Sequence, residues 1–338
     1  MKTVNFCGNR YRTLSGNWKT MYLNVINAFN ELGYDINLSK YLSLEDAPPF
    51  ITPDIVKDND SAVYVYNHTP KNKLIRDNFT LGRKTLILKP TGPTPNYFTI
   101  DTEGYAASSS ITYNKPAFEA VSSSSFFSEE VTSFKLNREN KWSDRDDLQF
   151  IDTSAIIPED HILVIGQMPA DETVTDISFG DHWRKLEAVV ETLIHQKRPV
   201  VVKVHPTLKR ESNIPDDKGI TGWFYYYQTI EYWKSKNITV LFDFESLHDI
   251  LPKTYVAILE NSTSGIDCAL YDVPMITYGL PEYHWITFDL RHLQQLLPAV
   301  EDLSWFDLNL SRAWLTWFCT EYQCYNYTST LNRLKTLL

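Results

Sequence analysis

Apolar positions along this 338-residue chain follow two alternating periods. Short apolar runs rich in β-branched and aromatic residues are separated by longer stretches in which apolar residues return every third or fourth position. TVNFCGN reads as a strand. In the following NWKTMYLNVINAFNELG, the residues Trp18, Met21, Tyr22, Val25, Ile26, Phe29 and Leu32 mark one face of a helix ended by Gly33. YDINL is a second strand, and SAVYVYNHTP and KTLILKPTGPTP each run an apolar strand into a Pro-containing loop. Strand, helix, strand in succession predicts an α/β fold with a parallel sheet. Ligands of open α/β sheets bind beside the loops that leave the strands.

Between residues 120 and 160 the pattern lapses into VSSSSFFSEEVTSFKLNRENKWSDRDDLQFIDTSAIIPED, which is Ser-rich, charged and aperiodic. This predicts a junction. The alternation then restarts: HILVIGQ, helical GDHWRKLEAVVETLIHQ, PVVVKVHP, helical WFYYYQTIEYWKSKN, ITVLFDF, a short helix SLHDILPK, YVAILEN, a helix start STSGIDCALYD, and VPMITYG. An aromatic-rich helical tail closes the chain. The expected organisation is a Rossmann-like domain over 1–120, a linker over 121–158, a second Rossmann-like domain over 159–305, and a tail over 306–338 that packs back on the first domain.

Composition narrows the function classes. No apolar run is long enough to span a bilayer. The opening MKTVNFCGNRYRT has no apolar leader core, so a cytoplasmic location is expected. A formal charge of −10 argues against a broadly basic nucleic-acid binder. Local basic clusters remain at Arg10, Arg12 and Lys19, at Lys71, Lys73 and Arg76, and at Lys209 and Arg210; each alone reads as solvated surface. Cys7, Cys268, Cys319 and Cys324 have no metal-ligand spacing and read as buried free thiols. No metal and no resident cofactor are expected.

Candidate chemistry gathers where strands end. In PVVVKVHP a buried-type strand runs out through Lys203, His205 and the chain-breaking Pro206. After YVAILEN, the residues Ser262, Thr263, Ser264 and Gly265 fall at a helix start, where hydroxyls cap and backbone N–H groups attract an anion. The two pieces converge on a diphosphate if they share a rim, with Lys203 as a point charge and His205 as a hydrogen-bond donor. Gln167, Asp171 and Thr173 in ILVIGQMPADETV lie in a loop that either reads a nucleotide or sugar hydroxyl or simply caps its neighbouring helix. Trp223 to Tyr227 and Trp233 either stack a sugar or base or, at helical spacing, belong to the core.

In this order the three pieces resemble the capsule polysaccharide biosynthesis family, the Kdo-transferase-like bacterial glycosyltransferases. That family carries a GQ…D loop, a K-x-HP strand end, and an S-T-S/T-x-G-x-E-A-L helix start followed by G-x-P-x-Y. The matching residues are Gly166-Gln167…Asp171, Lys203-Val204-His205-Pro206, Ser262 to Leu270 with Asp267 in place of Glu, and Gly279-Leu280-Pro281-Glu282-Tyr283. The likeness covers roughly residues 160–290, with a fainter echo at FTIDTEGYAASSSITY. It implies the GT-B architecture, two Rossmann-like domains facing across a cleft, a nucleotide-sugar co-substrate and metal-independent transfer. It also implies donor contacts from Gln167, Asp171, Lys203, His205, Pro206, Ser262, Thr263, Ser264, Gly265, Asp267 and Tyr283. The acidic E-D-G of Kdo transferases is missing, and LILKPTGP stands in its place. That favours a UDP-linked hexose or pentose over a CMP-linked sugar.

Glycosyl transfer calls for a base on the acceptor hydroxyl, unless retention with leaving-group assistance is used. Candidates are Asp101 and Glu103 in IDTEGY and His68 in YNHTP, with turn formation the alternative for the two acids. The expected acceptor is a polysaccharide or glycolipid. A second expectation is duplex DNA carrying hydroxymethylated bases, the substrate of phage-type enzymes of the same architecture acting in an infected host's cytoplasm. It requires the basic residues of 10–19 and 71–76 on the acceptor side. A third is a nucleotide-sugar-binding protein without catalysis.

Overall fold

The computed structural model describes residues 2–7, 12–14, 16–39, 42–44, 51–53, 62–67, 73–143, 149–169, 171, 173, 182–209 and 222–338. The chain divides into two compact units, Met1–Asp146 with Leu315–Leu338, and Asp147–Trp314.

In the first unit the strands are β1 (Lys2–Phe6), β2 (Arg12–Leu14), β3 (Tyr34–Leu38), β4 (Leu42–Leu44), β5 (Ile51–Pro53), β6 (Val63–Tyr66), β7 (Thr85–Pro90) and β8 (Phe98–Asp101). Six of them form one sheet in the order β5-β3-β1-β6-β7-β8, while β2 and β4 make a small separate pair. Within the sheet every pair is parallel except β7–β8. The helix Gly16–Glu31 crosses from β2 to β3 and buries Met21, Tyr22, Val25, Ile26 and Phe29, the stripe its periodicity predicts. Gly33 ends the turn after it at φ +77°, in the left-handed region that favours glycine. The last helix, Tyr327–Leu337, adds Leu331 and Leu334 to the same core.

The Ser-rich segment expected to be a linker is helical over Ser124–Leu136 and belongs to the first unit. Its buried residues are Phe126, Val131 and Phe134. A wide π turn over Phe127–Val131 inserts an extra residue between the first two, which erases the helical period from the sequence.

The second unit carries β9 (His161–Ile165), β10 (Val200–Lys203), β11 (Thr239–Leu241), β12 (Thr254–Leu259), β13 (Met275–Thr277) and β14 (Phe288–Asp289). They form one parallel sheet in the order β11-β10-β9-β12-β13-β14. β9 and β10 are buried along their whole length, as continuous apolar runs require in a sheet covered on both faces. The helices His182–Leu193 and Gly222–Ser235 share one core, where Trp183 and Trp233 stack with ring centroids 5.5 Å apart. Trp233 of the aromatic run is therefore core, whereas Phe224, Tyr225, Tyr227 and Tyr232 are exposed. All four cysteines are buried free thiols, and burial pushes the Cys7 thiol up to about 12. Among the described residues no helix is long and apolar enough to cross a membrane.

Because Leu334 is completely buried against the first helix's cluster, Leu334→Ala should destabilise the first unit by about 2–5 kcal/mol, read from denaturant unfolding. A change within a few tenths would mean that the last helix is not part of that core.

Candidate functional site

Parallel strands all end on one side of their sheet, and register decides which exit residues are neighbours. β9 lies between β10 and β12, with Ile165 paired to Lys203 on one side and to Leu259 on the other. Two residues beyond that row stand His205, Gln167 and Asn261. At the usual strand spacing of about 4.8 Å, His205 and the Ser262 turn are roughly two spacings apart, with Gln167 between them. The K-x-HP and S-T-S-G pieces therefore do share a rim.

Lys203 has another role than the one expected of it. Its Nζ donates to Glu245 Oε2 at 2.8 Å and to the Asp243 carbonyl at 3.1 Å, and both side chains are buried. Burial lowers the Lys203 pKa, with Glu245 pulling the other way. Burial alone would raise the Glu245 carboxyl, but the Lys203 ammonium and the Asp243 N–H outweigh it and leave it below its ordinary value. An ammonium held in this way braces the loop after β11 and is not a point charge presented to phosphate.

His205 is half-buried, and its Nδ1 accepts from the Thr207 N–H at 3.3 Å, with Thr207 Oγ1 at 2.9 Å. An Nδ1 that accepts a backbone N–H places the ring proton on Nε2. The other nitrogen of the ring is then a hydrogen-bond donor. Pro206 opens the turn beyond.

The Ser-Thr-Ser turn is built differently from the predicted cap. The helix Ser264–Leu270 follows Thr263, whose side chain makes no cap hydrogen bond. Ser262 Oγ accepts from the Ser264 N–H at 3.3 Å, and the N–H groups of Gly265 and Ile266 donate to the carbonyls of Ser262 and Thr263, each at 3.0 Å. The first-turn N–H groups are thus engaged within the turn, which corrects the expected backbone anion site. What the turn offers is three half-buried hydroxyl residues, Ser262, Thr263 and Ser264, with half-buried Asp267 one step along the helix.

Tyr283 explains one motif glycine nearby, Gly265, while Glu260 explains the other, Gly279, and the role expected of Tyr283 is itself corrected. Tyr283 is 1% exposed, and its hydroxyl donates to the Ser262 carbonyl at 2.5 Å. A Cβ on Gly265 would lie 2.1 Å from the Tyr283 ring, and one on Gly279 would lie 2.6 Å from Glu260 Cγ. Tyr283 therefore braces the turn from behind and does not face a donor.

The loop after β9 is tied together as a set. Asp171 Oδ1 accepts from both the N–H and the hydroxyl of Thr173, at 2.9 and 2.5 Å, and Gln167 Nε2 donates to Thr173 Oγ1 at 2.9 Å. Asn261 Nδ2 donates to the Thr173 carbonyl at 2.9 Å, linking this loop to the exit of β12. Behind it lies a fully buried contact between His182 Nδ1 and Glu260 Oε2. The Gln167 N–H donates to His182 Nε2 at 3.0 Å, and Lys185 Nζ lies 3.6 Å from Glu260 Oε1. Sequence reasoning missed Asn261, His182 and Glu260. The signal available was a polar Glu-Asn pair following five apolar-type strand positions in YVAILEN.

In the first unit the acidic candidates are placed otherwise than expected. Asp101 is completely buried, and its carboxylate accepts from the N–H groups of Glu103, Gly104 and Ser110 and from the hydroxyls of Ser109, Ser110 and Tyr322. It is a structural hub that fastens the C-terminal segment to this unit. β8 is antiparallel, with Asp101 opposite Ile87 and Phe98 opposite Pro90, so the chain leaves β8 toward the edge where the parallel strands begin. Exposed Glu103 therefore lies away from the rim where the parallel strands end. His68, two residues beyond β6, is outside the described residues, as are Arg10, Lys71 and Arg210. Among the described residues no group of His, Cys, Asp and Glu could hold a metal ion.

No protein-family model matches the sequence, and no curated protein does. Solved structures do. The beta Kdo 2,7 transferase of Thermosulfurimonas dismutans KpsC is 12% identical, with a TM-score of 0.51 over 100% of this chain and 99% of that one. The beta Kdo 2,4 transferase of the same protein is 13% identical, with a TM-score of 0.52 over 98% and 97%. At such identities the likeness is one of fold: two Rossmann-like domains, as in GT-B glycosyltransferases. Two Rossmann-like domains are thus both expected and observed.

If Lys203 is a structural partner of Glu245, Lys203→Met should destabilise the second unit by about 3–5 kcal/mol, and Lys203→Met with Glu245→Met should recover part of that loss. The contribution of Glu245 to stability is present above the ordinary carboxylate pKa and is lost as pH falls through its lowered value. Urea unfolding of the three proteins at neutral pH, and of the parent as pH is lowered, checks this. A phosphate-gripping lysine would leave stability unchanged.

Proposed function

We propose that this protein is a glycosyltransferase that binds a nucleotide sugar on the strand-end rim of the second unit (the second rim) and moves the sugar to a hydroxyl of a polysaccharide or glycolipid. The observation that carries this reading is the row His205–Gln167–Asn261 beside the Ser262–Ser264 hydroxyls, set by the register of β10, β9 and β12. In it the donor's diphosphate takes the His205 Nε2–H and the hydroxyls of Ser262, Thr263 and Ser264. The diphosphate bears only acceptor oxygens, and these groups supply donors. As the sugar's anomeric C–O bond to phosphate breaks, charge grows on the leaving diphosphate, and donors fixed by packing stabilise it without reorganising.

A UDP-linked sugar is the proposed donor, with CMP-linked sugars second. The fold likeness to Kdo transferases agrees with a glycosyltransferase, and the missing E-D-G argues against the Kdo donor. The proposed base is His68, the candidate that stands two positions after β6 in the sequence. In that role it takes the proton of the acceptor hydroxyl as that oxygen bonds to the anomeric carbon.

His205→Ala should weaken UDP-sugar binding by about 1–3 kcal/mol with unchanged thermal stability, measured by titration calorimetry. His68→Ala should leave that binding intact and abolish transfer or donor hydrolysis. Unchanged affinity in His205→Ala would remove the phosphate role, and unchanged turnover in His68→Ala would remove the base. Binding without turnover in the parent protein would favour a non-catalytic sugar-nucleotide binder.

A further inference from the structure

Two amide oxygens on the second rim lack a hydrogen-bond partner. Gln167 Oε1 and Asn261 Oδ1 are both shielded from solvent and receive no donor. Asn261 is only 4% exposed. The two residues stand side by side, each two positions beyond the paired Ile165 and Leu259.

Their orientation is fixed by what their amino groups do. The Thr173 hydroxyl gives its proton to Asp171 Oδ1 at 2.5 Å, so it can only accept from Gln167 Nε2 at 2.9 Å. Asn261 Nδ2 donates to the Thr173 carbonyl at 2.9 Å, and a flipped amide would set two oxygens against each other. Asp171 and Thr173 thus lock both side chains with their carbonyl oxygens unpaired. The backbone of Gln167 is fixed in turn by His182, which Glu260 holds from behind.

A pair of fixed acceptors selects its ligand. Phosphate oxygens only accept at this position and are repelled. A uracil edge brings a single ring N–H. A vicinal diol brings two O–H groups on adjacent carbons, each free to rotate its hydrogen onto an acceptor.

We propose that Gln167 and Asn261 together bind a vicinal diol of the nucleotide sugar, on its ribose or on the transferred sugar, and are specificity-determining residues for the donor. This rests on the donor-site reading above. Recognition of this kind is steep, because a ligand lacking one hydroxyl leaves a buried acceptor unpaired. It includes a local adjustment of the rim on binding, since both oxygens are shielded in the structure described.

The test is titration calorimetry of the full chain with UDP and CMP, their 2′-deoxy and 3′-deoxy counterparts, UDP-glucose and UDP-2-deoxyglucose. Loss of one hydroxyl of the recognised diol should lower affinity roughly tenfold or more. Loss in the deoxynucleotide arm places the diol on the ribose, and loss confined to the deoxyglucose arm places it on the sugar. Gln167→Met and Asn261→Leu should bind the hydroxylated probe as weakly as the parent binds the deoxy probe, with no further loss on the deoxy probe. Equal affinity of the parent protein for all hydroxylated and deoxy probes overturns the proposal, whatever the variants do. Failure of every nucleotide to bind overturns the donor reading itself, and this inference with it.

Discussion

Parallel register across β10, β9 and β12 is the constraint on which the rest of the second rim depends. Lys203, Ile165 and Leu259 form one row, so whatever follows them must leave the sheet together. The strands earn their places by burial alone, since valines, isoleucines and leucines fill both faces. Once they are paired, three polar residues that lie far apart in sequence become neighbours about one strand spacing apart. No local feature of the loops could bring this about, and none of the loops could be moved by a single residue without turning its side chains to the other face.

Behind that row the fold buries a lysine, a histidine and two glutamates, and pairs them. Lys203 with Glu245, and His182 with Glu260, are buried groups whose partners come from 42 and 78 residues away. Removing a polar or charged group from water is unfavourable unless hydrogen bonds replace the solvent, so each of these groups fixes the loop that supplies its partner. The outcome is a rim whose half-buried donors, His205 and the Ser262–Ser264 hydroxyls, sit on braced supports. Tyr283 and Trp314, whose rings meet edge to face 6.2 Å apart, complete the bracing from beneath.

Much of this was legible in the sequence, and the reasons it was differ from the reasons the remainder was not. Strands and helices followed from period, because β9, β10 and β12 are continuous apolar runs and the helix Gly16–Glu31 carries an unbroken stripe. The shared rim of His205 and Ser262 followed from chain order alone. The role of Lys203 did not, because Glu245 is invisible as its partner until β10 and β11 pair. Asp101 looked like an accessible acid because Tyr322, which closes over it, lies more than two hundred positions along the chain. Glu103 looked like a rim residue because the antiparallel sense of β8 leaves no mark in a short apolar strand. The helix at Ser124–Leu136 was hidden by its π turn.

The most direct measurement is a thermal-shift panel of UDP-, GDP-, CMP- and TDP-linked sugars on the purified chain, each with and without a hydroxymethylated DNA duplex. The account predicts stabilisation by uridine-linked donors that DNA does not alter. Stabilisation by none of the four would contradict it, and donor consumption that rises only with DNA would transfer the acceptor to nucleic acid.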